Sequence, residues 1–331
     1  MLYLHGLGHY YPENVISNRF LEDLDIGTTE DWILERVGIR TRRTALPLDY
    51  IRDTKNSDLR TALDVSMWSN TKTGAAAARM AIARAGIKAN DIGLVISGSS
   101  APDTLTPAEA ATIAAELGID APCFDLNSAC TSFGMQIHFL SMMRPAALPP
   151  FILLVNPENL TRSVNYADRS VAVLFGDGSA AAVLSAAIPS QMGFTACQCD
   201  TKASACQKVT ITRTGHFQQD GSAVQGFAIR RSTESIRLLQ ASFPVNNGHR
   251  FIFVGHQANL GMLQTVCERT GIAPENHWQN VVDFGNTGCS SAPAVLSQNW
   301  DRLRPGDHVA LALVGGGLTW VHLILKVEEH Q

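Results

Sequence analysis

Three side chains in this sequence suit covalent acyl chemistry: the thiol of Cys130, the imidazole of His256 and the carboxamide of Asn286. Cys130 stands in Asn127-Ser128-Ala129-Cys130-Thr131-Ser132, between an apolar strand-like run and an amphipathic helix-like run. His256 opens the stretch His256-Gln257-Ala258-Asn259, straight after Phe251-Ile252-Phe253-Val254-Gly255. Asn286 lies in Phe284-Gly285-Asn286-Thr287-Gly288, after Val281-Val282. A thiol attacks as thiolate, and a free value of about 8.5 leaves little of it at neutral pH. A position at the start of a helix lowers that value, because backbone N–H groups and the helix dipole favour negative charge. Cys130 directly precedes a helix-like segment and so suits an activated nucleophile. Each residue also has a plainer reading. A free Cys packs as a small hydrophobe, a His after an apolar run is often a core residue, and Asn between glycines tolerates a left-handed turn.

The elements around these residues alternate. Strands are expected at 2–9, 91–98, 122–127, 151–156, 171–175 and 180–184, and helices at 72–86, 107–117 and 130–143. The second half repeats the order: strand-like 207–212, helix 226–242, strand 251–254, helix 259–270, strand 280–283, helix 288–299 and terminal strands 308–314 and 319–327. Residues 44–70 read as an irregular excursion, a cap over the core. The alternation implies an α/β fold with helices over buried sheets, and ligand crevices at strand ends. The halves divide as 1–185, carrying Cys130, and 186–331, carrying His256 and Asn286.

Composition narrows the function. With 331 residues, 45% hydrophobic and 17% charged, a large core can be buried. A net charge of -4 argues against nucleic acid as the main partner. No run approaches the roughly 18 apolar residues of a membrane span, and the N-terminus lacks the basic and apolar regions of a signal peptide. Seven scattered cysteines suit a reduced, cytoplasmic compartment. Cys197, Cys199 and Cys206 lack the paired spacing and histidines of a zinc site, so no metal is expected.

Cys, His and Asn in this order also describe papain-like thiol proteases, in which His follows the nucleophile by about 130–150 residues. Here the separation is 126. The protease signature around the nucleophile is absent, and Thr131 stands where an aromatic residue belongs.

The neighbouring motifs point elsewhere. Gly255-His256-Gln257-Ala258-Asn259, Phe284-Gly285-Asn286-Thr287, Phe175-Gly176-Asp177-Gly178-Ser179-Ala180-Ala181, Val314-Gly315-Gly316-Gly317-Leu318-Thr319-Trp320, Gly215-His216-Phe217 with Asp220-Gly221, and the segment from Trp32 to Arg43 stand in one order along the chain. In these residues the chain resembles the β-ketoacyl-ACP synthase III family of thiolase-like condensing enzymes, over nearly its whole length. The resemblance implies a duplicated βαβαβ thiolase fold in five αβαβα layers, a homodimer, and no cofactor beyond its substrates. It implies a ping-pong reaction. Cys130 takes an acyl group from acyl-CoA. A malonyl thioester, on CoA or on an acyl carrier protein, then loses CO2 and attacks the acyl-enzyme. His256 and Asn286 would stabilise the enolate, and backbone N–H groups of Cys130 and Gly317 would form the oxyanion hole. Neutral donors so aimed contribute about 3–4 kcal/mol each. Trp32, Arg36 and Arg169 would hold CoA. Transfer to an O or N acceptor is the alternative within the same fold.

One absence supports decarboxylation. Thiolases that deprotonate their substrate carry a second Cys just before the triple glycine, where this chain has Leu313 and Val314. Glu158 is the carboxylate that could serve as a base instead, although a loop Glu is ordinarily solvated. Three features depart from the family. Thr106 replaces a bulky residue that gates the acyl pocket. The basic carrier-docking positions hold Gly226, Gly261 and Glu268, with Arg269 retained and Arg230, Arg231 and Arg237 nearby. Residues 44–70 are longer than the family's segment, which would alter the entrance or the dimer surface. These departures suggest specialised lipid, polyketide or signal-molecule biosynthesis beside fatty-acid initiation.

Overall fold

The structure is a computed structural model that describes residues 1–245 and 248–329. Its main sheet has nine strands: β1 (Leu2–Tyr10), β2 (Ile92–Ser97), β3 (Cys123–Asp125), β4 (Phe151–Glu158), β5 (Gly178–Ser185), β6 (Met192–Thr201), β7 (Phe251–Gly255), β8 (His308–Gly315) and β9 (Thr319–Val327). They lie in the order β7-β8-β9-β6-β1-β5-β4-β2-β3. β1 and β6 meet only at Leu2↔Phe194 and Tyr3↔Gly193, so the sheet divides there into two halves.

The halves share one plan. Numbered along its own chain, the first half is ordered third, second, fourth, fifth, first, with β5 antiparallel to both neighbours. The second half is ordered second, fourth, fifth, first, with β9 antiparallel to both neighbours. Its third strand is reduced to the single bridge Phe253↔His277.

Helices fill the other layers. α1 (Asn70–Ala85) and α2 (Glu109–Leu117) cover the outer face of the first half, and α4 (Gly221–Ser242) and α5 (Leu260–Thr270) that of the second. α3 (Ser132–Ser141) and α6 (Ser291–Gln298) are sandwiched between the halves. This is the expected α/β thiolase-like arrangement in five layers. The alanines explain how closely α1 sits. Ala77, Ala78 and Ala81 are fully buried, and a Cβ on Gly6 or Gly8 of β1 would stand 2.1 Å from Ala81 O or 1.9 Å from Ala77 O.

Several expected elements moved. α2 starts at Glu109, two residues past Pro107, because the Asp125 carboxylate on β3 accepts from Glu109 N (2.8 Å) and Ala110 N (2.9 Å). Residues 281–284 form a helical turn instead of a strand, since Gln257 Oε1 accepts from Asn280 N and Val281 N and diverts the chain. Residues 171–175 likewise are no strand: Val171 and Ala172 end a short helix, Arg169–Ala172, capped by Asp168, and the chain then turns. Of 207–212 only Val209–Thr210 is a strand, paired with Gln218–Gln219. The true first strand of the second half, β6, falls on the polar run around Cys197 and Cys199. Residues 44–70 hold two short helices, Leu48–Thr54 and Leu59–Val65. They pack on the 160–166 segment through Asn56, which donates to Arg162 O (2.9 Å) and Val164 O (2.8 Å), and do not cap the cleft described below. No described helix is long and apolar enough to cross a membrane.

Candidate active site

Cys130 sits on a strained turn ahead of α3. Thr131 N–H donates to Ser128 O (3.1 Å) and Ser132 N–H to Ala129 O (3.0 Å). The Ser132 hydroxyl closes the turn, accepting from Ser128 N (2.9 Å) and donating to Ala129 O (2.7 Å). Ala129 is held at φ 47, a left-handed conformation that costs a residue with a side chain about 1–2 kcal/mol. From the other side β8 ends against this turn: a Cβ on Gly315 would lie 3.0 Å from Cys130 N and 3.1 Å from Thr131 N. A side chain there would push the turn back by a few tenths of an ångström.

His256 follows β7, and its N–H continues the ladder to Ala312 O at 2.9 Å. The rest of its motif is structural. Asn259 caps α5 by accepting from Met262 N (2.8 Å), while Gln257 holds the chain at 280–281. Asn286 is set by the pairing of two glycine motifs: Asn286 N donates to Leu174 O (2.9 Å) and Gly176 N to Asn286 O (3.1 Å). Gly288 N donates to Asn286 Oδ1 at 3.0 Å. That bond assigns the oxygen to the turn and leaves the Nδ2 donor for the cleft.

Cys130, His256 and Asn286 all line one cleft of about 420 Å³. Burial holds the His256 imidazole down, to about 4, so at neutral pH it is an uncharged ring, and its Nδ1 has no partner. The expected lowering of the Cys130 thiol is reversed. Burial first, and then the Glu158 carboxylate, push it up to about 12. The resting group is a thiol that must lose its proton as it attacks.

Glu158 is no solvated loop residue. It ends β4 with zero exposure. Its oxygens accept from Ser99 Oγ (3.2 Å), Ser100 N (2.9 Å), Ser100 Oγ (3.1 Å), Cys289 N (3.3 Å) and Cys289 Sγ (3.1 Å). It is not among the cleft-lining residues, so it is not placed to take a proton from a substrate carbon. Sequence reasoning missed its partner Cys289, whose one signal was its place three residues after Asn286 in the same glycine-flanked turn.

The expected CoA residues gather at the same cleft. Trp32, Arg36 and Arg169 all line it, with the Arg169 guanidinium 4.9 Å above the Trp32 ring. Gly315 and Gly316 line it too, and Gly317 follows them directly in the same loop. One expectation lies off the cleft. Thr106 is exposed on the loop between β2 and α2 and does not line the cleft of its own chain. Of the cations near the docking positions, Arg231 is committed, lying 4.2 Å over Trp320 and paired with Glu234 at 2.8 Å. Gly226, Gly261, Glu268 and Arg269 are all exposed.

Comparison with known proteins agrees with this geometry. The family profile "3-Oxoacyl-[acyl-carrier-protein (ACP)] synthase III" matches residues 124–203, and its C-terminal profile matches 248–327. A β-ketoacyl-[acyl-carrier-protein] synthase III of Chlamydia pneumoniae is 31% identical over 337 residues, covering 96% of this chain and 95% of the relative. The crystal structure of the Pseudomonas aeruginosa 3-oxoacyl-(acyl carrier protein) synthase III superposes with a TM-score of 0.85 at 29% identity, covering 100% and 99% of the two chains. The priming β-ketosynthase of the R1128 polyketide pathway gives 0.81 at 27% identity, covering 99% and 97%. The order of Cys, His and Asn found in papain-like proteases is thus shared here by residue type alone.

Proposed function

The chain belongs to the β-ketoacyl-[acyl-carrier-protein] synthase III family, and from that premise we propose that it is a decarboxylating condensing enzyme acting through Cys130, His256 and Asn286. One observation carries the reading. Among the described residues lining the cleft, a single thiol faces a neutral imidazole and a free carboxamide donor, with no carboxylate beside them. Such a site has no carboxylate or second thiol to pull a proton from carbon, but it has two donors for an oxygen that becomes negative. Loss of CO2 supplies the carbanion without a base.

In the first half-reaction the Cys130 sulfur bonds to the acyl carbonyl carbon and the C–S bond to CoA breaks. The thiol proton leaves with the CoA sulfur. The carbonyl oxygen, negative on the way, meets the N–H of Cys130 and a backbone N–H of the triple-glycine loop, Gly317 by its place in the motif. In the second, His256 and Asn286 hydrogen-bond the malonyl thioester carbonyl as CO2 departs. The resulting carbanion attacks the acyl carbon, and Cys130 leaves as thiolate to be reprotonated. Because the thiol is pushed up by burial, that reprotonation is strongly favourable.

Trp32 and Arg169 suit stacking on an adenine ring, which would take the place the guanidinium now holds 4.9 Å over the indole, Arg36 suits a phosphate, and the apolar walls from Val209, Phe217, Val224 and Met262 suit a pantetheine arm. Acyl-CoA is therefore the proposed donor. Malonyl-CoA and malonyl carrier protein remain the proposed extenders, with the carrier docking weakly, because Gly226, Gly261 and Glu268 offer an acidic partner little positive charge. β3 is a free sheet edge with Phe124 on it, and Met142 (65% exposed) and Leu105 (72% exposed) are open apolar side chains. These features support a homodimer. The test is acylation: incubation with acyl-CoAs of graded length should add one acyl mass to Cys130 and none to Cys130→Ala. Absence of any adduct would overturn the reading.

A further inference from the structure

The mechanism leaves Glu158 and Cys289 unused, yet both lie buried beside its machinery. Five donors converge on the Glu158 carboxylate, from the loop after β2 (Ser99, Ser100) and from Cys289. The one Cys289 S–H is shared between that carboxylate and Gly98 O, which Sγ also approaches at 3.1 Å. Gly98 in turn packs under α3, where a Cβ would meet Ser132 Cβ and Gln136 Nε2 at 2.8 Å. The carboxylate fills the space that a side chain at 288 would need: a Cβ there would stand 2.6 Å from Glu158 Oε2. The N–H of the same Gly288 fixes Asn286 Oδ1.

Resting on the synthase reading, we propose that Glu158 is a positioning residue, which acts through Gly288 and Cys289 to aim the Asn286 amide and faces the start of α3 as a buried negative charge behind Cys130. Burial raises the Glu158 carboxyl, and the hydrogen bonds from Cys289 and Ser100 oppose that by favouring its charged form, an acceptor at both oxygens. An uncharged amide of the same shape has one oxygen and must turn its NH2 toward donors. That change loosens the 286–289 turn and removes the charge. The other ionisable groups packed around it are Cys130, Cys289 and Glu109 of α2, with the Asp103–Arg162 pair (2.6 Å) anchoring the next loop. The His256 imidazole is held down by burial alone.

Glu158→Gln in the full chain separates charge from shape. Iodoacetamide alkylation of Cys130 at pH 8, well below the midpoint of a thiol pushed up to about 12, is followed by mass spectrometry and reads the small thiolate fraction. Removing a negative neighbour moves the thiol's midpoint to lower pH, and alkylation at pH 8 should rise about tenfold for each pH step the midpoint falls. CO2 release from malonyl-CoA should fall at least tenfold, and acyl transfer to Cys130 should fall less. A purely structural role would slow acyl transfer and CO2 release together and leave alkylation at pH 8 unchanged. The Cys289 pair provides an independent check if Glu158→Gln folds poorly: Cys289→Ala should lower CO2 release, and Cys289→Ser, which returns an O–H donor to Glu158, should restore part of it. An unchanged alkylation rate at pH 8 in Glu158→Gln, or equal rates in the two Cys289 variants, overturns the proposal. Alkylation needs no acyl donor. A wild-type chain that alkylates normally but releases no CO2 would therefore defeat the synthase reading without touching the charge effect on Cys130.

Discussion

Replacing Asn286 by aspartate should divide the two half-reactions. Asn286 Oδ1 accepts from Gly288 N at 3.0 Å, and an aspartate oxygen can keep that bond and hold the turn. Its second oxygen then stands where Nδ2 was. Losing one preorganised donor costs about 2.7–4 kcal/mol, or 10²–10³ in rate. A carboxylate about 4 Å from the forming enolate adds about 4 kcal/mol at an effective dielectric of 20. Together these are about 7–8 kcal/mol, so CO2 release should drop by about 10⁵, against about 10²–10³ in Asn286→Ala, where only the donor is lost. Acyl transfer to Cys130 uses other donors and should stay within about threefold. Carboxyl-labelled malonyl-CoA measures the first rate and intact-protein mass the second. Decarboxylation by Asn286→Asp within tenfold of wild type, or an equal fall in acylation, would refute the assignment of Asn286 to the malonyl step.

Trp32→Ala removes the ring under Arg169 and should raise KM for acyl-CoA about tenfold with kcat little changed; an unchanged KM would move CoA elsewhere. His256 titrates at about 4, so the decarboxylation rate should show no inflection near 6.5 between pH 5.5 and 8. A bend there would mean a charged, exposed ring. Glu109 is held up to about 8 by burial, above its unfolded value of 4.5. The native state keeps that proton, so this residue's contribution to stability is present below 4.5 and is lost as pH rises through 8. Glu109→Gln cannot titrate, and its stability relative to wild type should climb across that window by at most about 1.4 kcal/mol for each pH step of one. Denaturant unfolding at pH 5 and pH 8 measures it, and a pH-independent difference would count against the burial.

Much of the site was legible because its chemistry uses residue types that stand out locally. Cys130, His256 and Asn286 each follow an apolar run, and the fold brings all three to one cleft with Trp32, Arg36 and Arg169 at its mouth. What escaped the sequence was governed by contacts from distant segments. The strand expected at 280–283 became a helical turn because Gln257, twenty-odd residues earlier, satisfies its first N–H groups. β6 was hidden because its alternating small and polar residues lack the apolar signal of a buried strand. A helix start alone would hold the Cys130 thiol low, whereas desolvation and a buried carboxylate from β4 win and push it up. Glu158 itself read as a loop residue because five separate donors, none adjacent to it in sequence, create its environment.

The central claim is that Cys130 carries the acyl group while His256 and Asn286 support loss of CO2. A single-turnover experiment tests it most directly. Protein preloaded with an acyl group at Cys130 is mixed with one equivalent of carboxyl-labelled malonyl thioester, and labelled CO2, residual adduct and product mass are followed together. Adduct loss and CO2 release should match one for one, with a β-ketoacyl thioester as product. Discharge of the adduct without labelled CO2, or onto an oxygen or nitrogen acceptor, would contradict the claim.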